Sequence, residues 1–142
     1  MLPLPRDVKD LFSLVEGDSR FQSGLLITGD GALLSSWMRA PIARHEVAVM
    51  AATMMASVAT IVEVFGVPTP KTVLVNMGEN QILARKVGRD QILILVSSKE
   101  VRKQSLYLAA KRLVTRLEAI YRHAGAEGLR DPEPLRSRDS GE

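Results

Sequence analysis

Residues 46–66 read EVAVMAATMMASVATIVEVFG, and this stretch decides how the rest of the chain is interpreted. Its composition predicts a long helix that runs from about Ile42 to Phe65 and ends at Gly66. A helix that covers one side of a core normally has one apolar stripe and one polar face. This helix is apolar almost all the way round, so we expect it to contact more than the sheet of its own chain.

On a helical wheel the residues of this helix fall into three arcs. The first arc is bulky, and we expect it to lie on the sheet: Val47, Met54, Val58, Ile61 and Phe65. The second is a ridge of small residues that lets another helix approach closely: Ala48, Ala52, Met55 and Ala59. The third arc combines polar residues with apolar ones: Glu46, Thr53, Ser57 and Thr60 with Val49, Met50 and Val64. Exposed apolar groups in such a setting predict a partner site, and methionine adapts to varied partners.

Two other interpretations of this helix are open. The same surface is also compatible with burial inside one chain, between a sheet and the last helix, since interior ridges also contain alanine. A membrane span is the other, because Val47–Val62 has 16 residues without a charge, close to the ~20 that a span needs. The hydroxyls of Thr53, Ser57 and Thr60 and the abundant alanine argue against a span, so we expect no membrane insertion.

The remaining segments predict an α+β protein with a five-stranded antiparallel sheet. A short helix is expected from Pro5 to Glu16, and strands at about 21–28 and 32–38 flank Gly29-Asp30-Gly31, a strong hairpin signal. Strands at 72–77, 81–87 and 91–98 are joined by short turns, which force antiparallel pairing. A final helix is expected from Arg102 to His123. The order helix, two strands, helix, three strands, helix places helices on both faces of the sheet.

The length of 142 residues fits one folded domain, which we place at residues 1–124. The polar segment 125–142 is expected to be a disordered tail. Residues 1–124 carry 16 basic and 11 acidic groups and residues 125–142 carry three and five, so +5 and −2 make up the net charge of +3. The chain has no cysteine, which excludes disulfides and thiolate zinc sites. That composition agrees with a reducing, cytoplasmic location.

The element order, with the hairpin GLLITGDGALLSSWM (24–38) and the later TVLVNMGENQILARKV (72–87) and QILILV (91–96), resembles the Roadblock/dynein light chain family. The resemblance covers about residues 5–122 and rests on strands, turns and helices, with no catalytic signature. It implies a profilin-like fold and a dimer with a second copy or a paralogous subunit. It also implies a non-catalytic regulator or scaffold for Ras-like small GTPases, or an adaptor in motor complexes.

In such dimers the resemblance implies that the middle helix and the third strand meet their partner's copies. The predicted dimer interface is Ala48, Ala52, Met55 and Ala59 of the helix and Thr72, Leu74 and Asn76 of the strand. This strand has no charge between Lys71 and Glu79, so an unpaired edge here would invite aggregation. Pairing with its own copy across a two-fold axis would protect it.

The predicted partner-binding residues lie on and beside the third arc of the middle helix. They are Arg39, Arg44, Glu46, Val49, Met50, Thr53, Ser57 and Thr60. Arg39 and Arg44 flank the start of the helix and are the candidates for an arginine finger. Solvated loop arginines are the favoured interpretation, because arginine is mostly exposed at such positions. We therefore expect the helix pair to act by holding the switch loops of a GTPase in one conformation.

No catalytic or cofactor motif is visible. His45 and His123 are the only histidines, they fall near helix ends, and their spacing matches no metal motif. Gly29-Asp30-Gly31 does not have the pattern of a phosphate loop. The sequence therefore predicts a non-enzyme with no metal and no cofactor.

Two alternative functions are compatible with the sequence. The last helix carries a basic group of residues, Lys111, Arg112, Arg116 and Arg122, that suits nucleic acid or an acidic partner. No aromatic residue interleaves with them, as stacking on single strands requires, so nucleic acid is not expected. A small-molecule sensor is the other alternative, and it rests on fold-level analogy alone.

Overall fold

The computed structural model describes Val8 and residues 10–128, with the side chains of residues 124–128 excepted. Within these residues the helices and strands follow the predicted order. They are α1 (Ser13–Glu16), β1 (Phe21–Thr28), β2 (Leu33–Met38), α2 (Arg44–Val64), β3 (Thr72–Asn76), β4 (Asn80–Val87), β5 (Gln91–Ser98) and α3 (Lys103–Gly128). The predicted α+β class is confirmed, and each strand begins and ends within about one residue of its predicted bounds.

The five strands form one antiparallel sheet in the order β2-β1-β5-β4-β3. β5 lies at the centre, and its Ile92–Leu95 run is buried on both faces, as expected of a continuous apolar strand. β2 and β3 are the two edges. A register shift between Leu26 and Ile27 leaves Leu34 of β2 without a partner in β1, so β2 is a bulged edge.

α1 and α3 cover one face of the sheet. Leu106, Leu113 and Leu117 of α3 are fully buried there in one cluster with Leu26, Leu93 and Leu95 of the sheet. α1 packs beside α3 through Phe12, which lies over Gly24 of β1. A Cβ built on Gly24 would lie 2.4 Å from Phe12 Cδ1, so the absence of a side chain at this position is what allows α1 to dock.

α2 lies within two residues of its predicted bounds, Ile42 and Phe65, and the other two helices differ more from theirs. α1 begins at Ser13, and Leu11 N–H donates to Val8 O and Ser13 N–H to Asp10 O in tight three-residue steps. Residues 5–7 and 9 of the predicted first helix lie outside the described residues. α3 continues to Gly128, beyond the predicted end at His123, so residues 125–128 of the predicted tail are helical. The segment 129–142 of the predicted tail also lies outside the described residues.

Candidate partner-binding surface

α2 lies on the sheet through its small residues. Ala48, Ala51, Ala52 and Met55 are its buried residues. They form a second core cluster with Leu25, Ile27, Ala84, Ile92 and Ile94 of the sheet. This placement corrects the prediction that Ala48, Ala52 and Met55 face a second helix. The leucine and isoleucine side chains of the sheet fill the space, so the helix face above them is made of small residues. Ala59, at the end of the same ridge, is half buried.

The bulky arc of α2 lies on the flank that faces away from β2. Val49, on the other flank, meets the β1–β2 turn, where a Cβ built on Gly31 would lie 3.0 Å from Val49 Cα. α2 also packs on Ile92 and Ile94 of β5 and on Ala84 of β4, so the bulky flank faces the β3 edge of the sheet. On this flank Met54 packs against the core, whereas Ile61 is 56% exposed and Phe65 is 75% exposed. The expectation that this arc lies on the sheet therefore fails for its C-terminal members.

One helix does not cover the α2 side of this sheet. Five strands span about 19 Å at their usual spacing, whereas a helix with its side chains is about 10 Å wide. Towards the β3 edge Val73, Val75 and Ile82 are only half buried. We call these three residues, with Ile61 and Phe65, the flank surface. It is a partly exposed apolar surface beside α2, and a second helix could pack against it.

The face of α2 that points away from the sheet carries every predicted partner-binding residue of the helix body. Glu46, Val49, Met50, Thr53, Ser57 and Thr60 are all exposed, and we call them the outer face. The hydroxyl of Thr53 donates to Val49 O at 2.9 Å, and the hydroxyl of Thr60 donates to Ala56 O at 3.1 Å. Because these hydroxyls turn back into the helix, the outer face is more apolar than its composition indicates.

The β3 edge offers backbone groups at alternate residues. Lys86 N–H donates to Lys71 O and Met77 N–H donates to Asn80 O, so the odd-numbered residues of this strand face β4. The N–H and C=O groups of Thr72, Leu74 and Asn76 therefore point to the open edge. These are the three strand residues predicted for the dimer interface.

Arg39 makes several hydrogen bonds within its own chain. Its Nε donates to Phe21 O at 2.9 Å, and its Nη2 donates to Glu16 O and Asp18 O at 3.1 Å each. Its guanidinium also stacks on Trp37, with Cζ 4.9 Å from the ring centroid. The structure thus gives Arg39, which stays exposed, a structural role between α1, β1 and β2.

Arg44 lies at the first turn of α2, where its Nη1 donates to the Ser36 hydroxyl at 3.0 Å. It borders an open cavity of about 290 Å³ between β2 and the start of α2, together with Leu33, Leu34, Ser35, Ser36 and His45. The side chain is exposed, and on a helical wheel it lies about 160° from Glu46 of the outer face. Its role in binding a partner stays a prediction.

Asp18 and Arg20 form a bidentate ion pair after α1. Arg20 Nε and Nη2 donate to the two carboxylate oxygens at 3.0 and 2.8 Å. These hydrogen bonds, with a third from the Arg20 backbone N–H, lower the pKa of Asp18 to about 2. The same bonds raise the pKa of Arg20. This pair lies on the α1–α3 side of the sheet, away from the outer face.

The basic residues of α3 do not form one stripe. Lys111, Arg112 and Arg122 are exposed and Arg116 is half buried. On a helical wheel Lys111 and Arg122 lie on one side of the exposed face and Arg112 and Arg116 on the other. Arg112 borders a cavity of about 250 Å³ near Leu14 and Leu108. The structure thus separates the residues on which the nucleic-acid alternative depends.

Arg85 is a residue that the sequence analysis missed. It lies two residues after Leu83 and two before Val87, which are both buried beneath α3. Because alternate residues of a strand share a face, Arg85 lies on the α3 face of β4. Among the described residues, its Nε is the buried side-chain nitrogen or oxygen that has no hydrogen-bond partner. The signal in the sequence was an arginine at a strand position that alternates with buried apolar residues.

Two further tests concern metals and membranes. Among residues 10–128 and Val8, no group of three or more His, Cys, Asp or Glu side chains is placed to hold a metal ion. Over the same part of the chain, α2 alone is long and apolar enough to cross a membrane. A helix that covers a core passes the same test, and α2 is buried on the sheet through Ala48, Ala52 and Met55.

The architecture defines the class of protein to which the chain is similar: it has the Roadblock/LC7 fold, a variant of the profilin-like fold. A Myxococcus xanthus MglB matches with a TM-score of 0.75 and 16% identity, over 83% of this chain and 97% of that chain. A Roadblock/LC7 domain from Streptomyces avermitilis matches with a TM-score of 0.69 and 17% identity, over 78% of this chain and 94% of that chain. Acanthamoeba castellanii profilin II matches with a TM-score of 0.54 and 14% identity, over 75% and 92% of the two chains.

No protein-family model matches the sequence, and no curated protein matches it. The likeness is thus one of fold, and it confirms the profilin-like architecture that the resemblance implied.

Proposed function

We propose that this chain is a non-catalytic, homodimeric adaptor that binds a Ras-like small GTPase through the outer faces of two adjacent α2 helices. One observation carries the proposal: α2 has exposed apolar residues on two separate sides. The flank surface and the β3 edge suit a second copy, and the outer face is left for a different protein. Val49 and Met50 on the outer face are 54% and 72% exposed, which is costly for a surface with no partner.

The dimer follows from the partly covered β3 edge of the sheet. A second copy related by a two-fold axis pairs its β3 with the free edge and places its α2 on the other side of this seam, so that Val73, Val75 and Ile82 lie below the space between the two helices. The two sheets then continue into one, and Ile61 and Phe65 are buried between the helices. This arrangement replaces the predicted helix contact through Ala48, Ala52, Met55 and Ala59 with one through the bulky flank. It retains Thr72, Leu74 and Asn76. A paralogous subunit with the same edge is the other possible partner.

The Roadblock-like fold supports a Ras-like GTPase as the protein that binds the outer face. In the proposed dimer two outer faces lie side by side, which doubles the apolar surface and places an Arg44 at each rim. The mechanism is positional: a rigid helix pair favours one conformation of the switch loops. A finger role is not proposed for Arg39, because its Nε and Nη2 are bound to three backbone carbonyls. Such a partner places the protein in the cytoplasm.

Calorimetric titration tests the proposal directly. Purified Ras-like GTPases, loaded with GDP or with a non-hydrolysable GTP analogue, are titrated with the protein and with two variants. Met50→Glu puts a charge on the outer face, and we expect it to abolish binding while the dimer persists. Leu108→Glu changes an equally large apolar residue, 49% exposed, on α3 and should bind as the wild type does. Equal binding by Met50→Glu, or no binding of any Ras-like GTPase, would contradict the proposal.

A further inference from the structure

Arg85 has a positive charge that the described part of its own chain does not satisfy. The structure gives its guanidinium no hydrogen bond or ion pair, and its Nε is shielded from water. A buried donor without an acceptor is costly, and such groups in native proteins usually have a partner. Arg85 lies one strand in from the open edge, with its Cα opposite Thr72 of β3. The missing acceptor is therefore best sought across that edge.

The geometry of β3 restricts how two copies pair, if they form the dimer of the proposed function. The residues with free backbone groups are Thr72, Leu74 and Asn76, and in an antiparallel ladder such residues face one another. Full overlap of two five-residue strands about a two-fold axis then places Leu74 opposite Leu74 of the second copy. Thr72 lies opposite Asn76 of the second copy in the same register.

This register aligns Arg85 with an acceptor. Arg85, Thr72 and Asn76 of the second copy form one row across three neighbouring strands, with side chains on the same face of the sheet. The Arg85 and Asn76 Cα atoms are then about two strand spacings apart, roughly 10 Å, which a long and a short side chain can bridge. The Asn76 Oδ1 accepts one bond, from Gly78 N–H at 3.1 Å, and a carbonyl oxygen has a second lone pair.

We propose that Arg85 of each copy extends over Thr72 and donates a hydrogen bond to the Asn76 side chain of the second copy. The pair occurs twice in a two-fold dimer, once on either side of the Leu74 contact. In the monomer the side chain is half buried and its Nε has no partner among the described residues, so the bond favours association. It also fixes the register, because a shift by two residues moves Asn76 out of the row.

A double-mutant cycle on the full chain tests the bond. We expect Arg85→Met and Asn76→Ala each to raise the dimer dissociation constant about tenfold or more, as for a hydrogen bond to a charged group. The dimer dissociation constant of the double variant should be no higher than that of either single variant. Arg85→Met should not lower the melting temperature of the monomer, since a residue with a merely structural role would lower it. Arg89→Met, in the exposed β4–β5 turn, is the matched control and should dimerise normally.

Cross-linking tests the register independently, and the chain is suited to it because it has no cysteine. Leu74→Cys should form a disulfide-linked dimer on mild oxidation, since hydrogen-bonded pairs lie about 5.5 Å apart and disulfides span this distance. Val73→Cys should not, because Val73 faces residue 75 of the second copy. A wild-type chain that stays monomeric would overturn both the dimer and this inference. A dimer in which Arg85→Met has the wild-type dissociation constant, or in which Val73→Cys links and Leu74→Cys does not, would overturn this inference alone.

Discussion

The guanidinium of Arg39 stacks on the indole of Trp37, two residues earlier, with Cζ 4.9 Å from the ring centroid. The same group donates hydrogen bonds to the backbone carbonyls of Glu16, Asp18 and Phe21. One side chain thus joins the end of α1, the following loop and the start of β1 to the end of β2. This loop arginine therefore stabilises the packing of helix and strands within its own chain.

Replacement of Arg39 by lysine should lower the stability of the protein. Lysine keeps the charge but lacks the planar fork that reaches several carbonyls, so we expect Arg39→Lys to lower the free energy of unfolding by about 1–2 kcal/mol. Urea denaturation measures the change, with Arg89→Lys as the control at an exposed turn. Normal stability in Arg39→Lys, combined with a loss of GTPase stimulation, would instead indicate an arginine finger.

Ala52 distinguishes the observed orientation of α2 from the predicted one. It is 7% exposed and packs in the cluster between α2 and the sheet. Ala52→Leu should therefore overpack the core and lower the free energy of unfolding by about 1–3 kcal/mol. Ala56→Leu, at an exposed position of the same helix, should have little effect. Chemical denaturation of both variants decides, and an Ala52→Leu chain of full stability that no longer dimerises would restore the helix contact first predicted.

Gly24 should tolerate no side chain while Phe12 is present. A methyl group at Gly24 would lie 2.4 Å from Phe12 Cδ1 and 2.5 Å from its Cε1. We expect Gly24→Ala to lower the free energy of unfolding by about 1–3 kcal/mol by displacing α1 from the sheet. Combining it with Phe12→Leu should restore part of the loss, which thermal melts of the four chains would show. Additive losses would mean that the two residues do not share this contact.

The ion pair of Asp18 with Arg20 should add a small amount to the free energy of unfolding, and this amount should be lost at acid pH. Because the folded-state pKa of Asp18 is lowered to about 2 from 3.8, the contribution is present at neutral pH and lost as the pH falls from about 4 to 2. The two side chains are 48% and 35% exposed, so solvent screening limits it to about 0.2–1 kcal/mol. Urea unfolding of Asp18→Asn should thus differ from the wild type at pH 6 and converge with it near pH 2. Asp10→Asn, an exposed carboxylate near α1, is the control.

The sheet was predictable from sequence because its signals are local. Gly31 and Gly88 mark turns by their positive φ, and apolar residues fill the strands between such turns. The orientation of α2 was not predictable in this way. A helix with apolar residues on nearly every side gives no periodic signal for the face that meets the sheet, and small residues suit a sheet as well as a helix.

The contacts of individual arginines also could not be predicted from the neighbouring residues in the sequence. The acceptors of Arg39 lie 18 to 23 residues away in sequence. Only the folded chain shows that Arg39 is engaged and that Arg85 has no partner in the described residues.

The mass of the protein in solution, measured by light scattering over a range of concentrations, tests the central claim most directly. That claim is that α2 has one surface for a second copy and another for a different protein. We predict twice the chain mass of 15.6 kDa for the wild type and for Met50→Glu, and the mass of a folded single chain for Phe65→Glu. A wild-type monomer at every concentration, or a dimer that survives Phe65→Glu, would contradict the account.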